Sequence, residues 1–173
     1  MGYSLSIEVG DRKKEVGEWL EKNFRPWNTG IKGEEHDYSA LRDEPSYAPE
    51  NKKVIGFDYG PVMDMERLYI WEMASVVARC VGQSQIYYDG EAIELSNIDW
   101  TQPVEKIAEE HCRVARSMRD AGDTELWEEI IRDLPKMRDE LQRITTLWEE
   151  EMGGLPAPAG VTQRKAAAKA KSP

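Results

Sequence analysis

The tetrapeptide Leu126-Trp127-Glu128-Glu129 returns three heptads later as Leu147-Trp148-Glu149-Glu150. Between the two copies the apolar residues step by three and four, through Ile130, Leu134, Met137, Leu141 and Ile144. Only a helix places such a series on one side, so the carboxy-terminal third must lay an apolar seam against something along its length. Pro135 sits within the seam, has no amide hydrogen and crowds the preceding turn, which predicts a bend or break there. A straight helix also drifts by about 20° per heptad, so the two tryptophans should face unequal surroundings.

Upstream, Tyr3, Leu5 and Ile7 alternate with Ser4, Ser6 and Glu8, the pattern of a half-buried strand. Asp11 is a fair cap for a helix presenting Val16, Trp19, Leu20 and Phe24. From Arg25 to Asn51 prolines and glycines punctuate a long loop with scattered aromatic residues. Lys53 to Tyr59 reads as a second strand, and Val62 to Val81 as a helix apolar on nearly every side and closed by Gly82. Its polar stripe is narrow: Asp64, Arg67, Ser75 and Arg79. Asp89-Gly90 between two short alternating segments predicts a type I′ hairpin.

The order strand, helix, strand, helix, hairpin predicts an α+β fold with a small three- to four-stranded sheet. Residues 1–98 would form that sheet domain, with the long loop at 25–51. Residues 99–152 would form a helical arm packed on it. One helix should start near Thr101 and Pro103, present Val104, Ile107, Ala108, His111, Ala115 and Met118, and end at Gly122. Asp123 or Thr124 would then cap the seam helix. Residues 153–173 read as a Pro/Gly linker and a disordered Ala/Lys-rich basic tail.

Charge limits the partners. The chain is −10 overall, yet Arg164, Lys165, Lys169 and Lys171 lie in the last ten residues, where there is no acid. Without them 19 basic residues face 33 acidic ones, a body of −14 that repels nucleic acid and anionic membranes. The apolar stretch from Val62 to Val81 carries Asp64, Glu66, Arg67, Glu72 and Arg79 and is no membrane span. Cys80 and Cys112 have no CxxC spacing and suit a reducing, cytoplasmic compartment; no secretory leader is expected. A small acidic body with an Ala/Lys/Pro-rich tail is compatible with a bacterial or bacteriophage protein.

Motifs of chemistry are few, and no cofactor or metal is expected. Glu34-Glu35-His36-Asp37 is an acid–histidine cluster, but one imidazole among adjacent carboxylates matches no ligand spacing. Asp58 and Tyr59 end a strand just before a helix, where open sheets gather ligands; a turn-stabilising aspartate is the simpler role. His111 reads as a core histidine, and His111 with Cys112 points two ways rather than forming a dyad.

The sequence therefore predicts a non-enzymatic, acidic protein-interaction module that binds a partner protein or a second copy through its C-terminal helices. Trp127, Leu141 and Trp148 would be the anchors, with Glu128, Glu129, Glu149 and Glu150 steering the encounter. Two other readings stay open. One is an inhibitor that mimics nucleic acid, against which the interspersed arginines count. The other is a small enzyme or ligand-binding domain with a pocket near Asp58 and the His36 loop.

Overall fold

The alternating residues Tyr3–Glu8 do form a strand, and it is the middle strand of the sheet. The computed structural model describes residues 3–27, 39–59 and 64–153. In chain order these give β1 (Tyr3–Glu8), α1 (Lys13–Asn23), β2 (Ser39–Arg42), β3 (Val54–Tyr59), α2 (Asp64–Cys80), β4 (Gln85–Tyr88) and β5 (Glu91–Glu94). Three helices follow: α3 (Val104–His111), α4 (Arg113–Asp120) and α5 (Glu125–Met152). The sheet is antiparallel throughout, in the order β2-β3-β1-β4-β5. The class is α+β, with five strands among the described residues rather than three to four.

The added strand, β2, lies inside the stretch expected to be loop. Ser39-Ala40-Leu41-Arg42 has one large apolar residue and no β-branched or aromatic one, so it signals no strand alone. Pairing with β3, Leu41 opposite Phe57 and Arg42 opposite Gly56, makes it one. Glu34, Glu35, His36 and Asp37 lie outside the described residues, as does the basic tail.

Register places Tyr3, Leu5, Ile7, Ile55, Phe57 and Tyr59 on the face that meets the helices. The opposite face carries Ser4, Ser6, Gly56, Asp58 and Tyr87. β1 is not half-buried as its alternation suggested, because Ser4 and Ser6 are 0% exposed. The chain after β2 folds back over them, and the Tyr47 amide donates to Ser4 Oγ at 3.1 Å. Small side chains suit that layer. A Cβ on Gly56 would stand 1.9 Å from the Leu5 carbonyl oxygen, a separation no other residue could tolerate. The hairpin forms as expected, with Asp89 and Gly90 at φ 47° and 87°.

The expected cap at Asp11 is replaced. A single 3-10 turn, Gly10–Arg12, precedes α1, and Asp11 pairs with Lys53 at 3.1 Å instead of capping. At α3, Pro103 holds the cap position, while Asp99 accepts the Thr101 amide and hydroxyl at 3.0 and 2.5 Å. The helix predicted to run to Gly122 is divided at Cys112 (φ −108°, ψ 71°). Arginines of α4 close the break: Arg116 donates to the Glu109 carbonyl at 2.7 Å, and Arg119 to its carboxylate at 2.6 Å. Ile107, Ala108, Cys112 and Ala115 thereby stay buried, and His111 turns outward rather than into the core.

Pro135 does not break its helix; α5 is continuous over 28 residues. An interior proline costs about 3 kcal/mol. Burial of Ile130, Leu134, Met137, Leu141, Ile144 and Trp148 outweighs it, at roughly 1.5–3 kcal/mol for each large apolar side chain. Asp123 Oδ1 accepts the Glu125 amide at one end, and Gly153, with φ 68°, terminates the other. These side chains join Leu5 and Phe57 of the sheet and Tyr69 and Met73 of α2 in one continuous core. The helical third is thus part of the core that the sheet builds.

Candidate functional site

The two copies of Leu-Trp-Glu-Glu have different fates. Trp148 is 1% exposed and packs edge-on against Trp19 of α1, with ring centroids 5.0 Å apart. Arg12 lies 5.5 Å over its ring, and Trp19 Nε1 donates to Glu151 at 2.7 Å. Leu141 is likewise buried. The expectation that Trp148 and Leu141 anchor a partner is therefore corrected: this chain's own α1 and α2 sides already cover them. Trp127 is half-buried, under the Arg119 guanidinium at 4.2 Å, which Glu109 and Asp120 hold in place. Glu128, Glu149 and Glu150 are exposed and Glu129 half-buried.

Asp58 is a latch for the covering loop. Its carboxylate accepts the Ser4 hydroxyl at 2.5 Å, the Ser46 hydroxyl at 2.7 Å and the Ser46 amide at 3.1 Å, with Arg42 3.9 Å away. Burial works against its charge, but these hydrogen bonds and Arg42 more than offset that and hold its pKa below the ordinary value. Every strong direction of approach is occupied by the chain itself. Tyr59 faces the helices, stacks on Tyr3 at 5.4 Å and accepts a hydrogen bond from Trp71 Nε1 at 3.1 Å. Burial pushes its pKa up to about 12.

A meeting of histidine with Asp58 or a cysteine, which an enzyme reading would need, is not present among the described residues. His111 reaches Glu110 at 3.7 Å. Cys80 is buried, and desolvation with the nearby Glu149 charge lifts its thiol to about 12, far from a thiolate nucleophile. No group of three or more His, Cys, Asp or Glu side chains among the described residues is placed to hold a metal. No described helix is long and apolar enough to cross a membrane.

One concave feature lies elsewhere, where α2, the chain leaving β5 and the α3–α4 break meet. It is a cleft of about 590 Å³. Arg67, Leu68, Trp71 and Glu72 form one side, Glu94 with residues 96–98 a second, and Glu110, His111, Arg113 and Val114 the third. Glu72 is only 4% exposed and accepts Trp100 Nε1 at 2.6 Å. Burial raises its pKa, while hydrogen bonds from Ser96 and Trp100 and the charges of Arg79 and His111 pull the other way. At the mouth, Val114 is 50% exposed, and Met118 one turn on is 36% exposed. These are large apolar side chains in water on one face of α4.

Sequence reasoning missed this cleft. Glu72 served there only as a charge unsuited to a membrane. It lies on the polar stripe of its helix, three residues before Ser75 and seven before Arg79, yet it is buried, and a buried acid must find a donor in the interior. That was the available signal. Its donor, Trp100, comes from a segment with no periodic pattern. Comparison with protein-family models, curated proteins and solved structures finds no match to this chain, so the functional reading rests on its own geometry.

Proposed function

We propose that this protein is a non-enzymatic interaction module whose C-terminal helices recognise a partner protein or a second copy. The reading transfers the contact from Trp148 and Leu141 to the outer face of α4 and the start of α5. One observation carries it: Val114 and Met118 lie one turn apart, exposed, on the helix whose Arg119 covers the half-buried Trp127, and Tyr47 is the only other exposed large apolar side chain among the described residues. An apolar anchor pair with an aromatic residue, rimmed by charge, is the composition of an interface centre. The exposed Glu128 is placed to favour a basic partner. A catalytic reading draws no support from Asp58, Cys80 or His111, each engaged or oriented as described above. A nucleic-acid mimic is disfavoured because cations interrupt the acids of α5: Arg132 and Lys136 flank Asp133, and Arg143 pairs with Glu140.

The test is light scattering on a sizing column at low and high salt, alongside capture on immobilised protein, for wild type and the V114D/M118D double variant. Both positions are exposed, so the variant should fold. Wild type should associate, with itself or with a captured protein, and the variant should lose that association with an unchanged melting temperature. Equal behaviour of the two proteins would remove the reading.

A further inference from the structure

We infer that the cleft between α2 and the α3–α4 break binds a small apolar molecule carrying one anionic group, a carboxylate or sulfonate on an aryl or alkyl body. The volume, about 590 Å³, falls within the range of roughly 300–1,000 Å³ typical of small-molecule sites. The walls supply an apolar bed from Leu68, Trp71, Ile98 and Val114. Trp71 is already fixed for stacking. Its indole nitrogen donates to the Tyr59 hydroxyl, its ring leans on Tyr88 with centroids 5.3 Å apart, and Arg67 lies 5.8 Å over it. A ligand stacked there need order no loose side chain.

Charge sets the sign of the ligand. The cleft is lined by acids and bases in similar number, but most are engaged. Glu72 is held by Trp100, and Glu110 lies against His111. Arg67 and Arg113 both line the cleft, and among the described residues neither has a carboxylate at ion-pair distance. Arg67, which lies over Trp71, and Arg113 thus offer guanidinium groups that can take the anionic group of a ligand. Guanidinium groups bind carboxylates and sulfonates through paired N–H donors, and an aromatic face beside them takes the apolar part. Long-range repulsion by the body slows such a ligand without cancelling contacts made inside the cleft.

The experiment uses the full chain and 8-anilinonaphthalene-1-sulfonate, an anionic aromatic whose emission rises on transfer to an apolar site. Wild type should bind it saturably, and R67Q/R113Q should weaken binding at least ten-fold with unchanged circular dichroism and melting temperature. W71A should abolish the emission gain; because Trp71 also supports Tyr59, the arginine variant is the deciding one. A naphthyl-methylammonium of similar size serves as the cationic control and should bind wild type more weakly than the sulfonate. Equal affinity of wild type and R67Q/R113Q for the sulfonate would overturn the inference, as would tighter binding of the cation. Both outcomes are separate from the interaction module, because R67Q/R113Q leaves Val114 and Met118 in place.

Discussion

Trp127 and Trp148 begin with the same neighbours in sequence and end in different worlds. Trp148 meets Trp19 edge to face and is lost to solvent, whereas Trp127 stays half-open beneath Arg119. The repeat fixes which side of α5 each ring occupies. What covers that side is decided elsewhere, by α1 at one end and by the short helix α4 at the other. A repeated motif therefore defines orientation, and the tertiary neighbours decide whether it is core or contact.

The largest expected effect breaks the buried end. Trp148→Ala removes a fully enclosed ring from the α1–α5 crossing and should cost about 3–5 kcal/mol, read by urea unfolding. Trp148 tolerating alanine within about 1 kcal/mol would show the two ends to be alike. A similar loss is expected for Gly56→Ala, because its Cβ meets the Leu5 carbonyl and must part β1 from β3. That variant calibrates what a defect in the sheet costs beside one in the helix seam.

Two carboxyl groups should answer pH in opposite directions. Asp58 has a folded pKa below the ordinary 3.8, so its contribution is present above that value and lost as pH falls through the folded one. Stability of wild type relative to Asp58→Asn should therefore be level near neutrality and shrink below pH 3.8. Glu72 has a folded pKa above the ordinary 4.5, so the folded state holds its proton more tightly. Its contribution is present below 4.5 and lost as pH rises through the folded value. Relative to Glu72→Gln, which keeps an acceptor for Trp100, wild type should lose ground as pH rises from 4.5 towards neutrality. Chemical unfolding across pH reads both, and parallel profiles would mean that the loop latch and the cleft floor are not the opposites described. The smallest effect is at the open end: Trp127→Ala should change stability by no more than about 1 kcal/mol, yet weaken association.

Much of this architecture was legible in the residues. The seam of α5 and the Asp89-Gly90 hairpin follow from periodicity and turn chemistry, which act locally. β2 was not legible because its strand character comes from β3. The break at Cys112 was not legible because no proline or glycine marks it, and the arginines that close it reach back from the next helix. The sequence alone overstates Pro135, because its local cost is visible there and the burial opposing it is not. The site was least legible of all. The expected anchors Trp148 and Leu141 became core, and the cleft depends on Glu72 finding Trp100 across the fold.

The most direct test of this division is fluorine NMR on protein carrying 5-fluorotryptophan, with the resonances of Trp127 and Trp148 assigned by replacing each with phenylalanine. The account predicts that the Trp127 signal shifts on exchanging water for deuterated water and again on association, while the Trp148 signal stays still in both. A Trp148 signal that responds while Trp127 remains silent would contradict it.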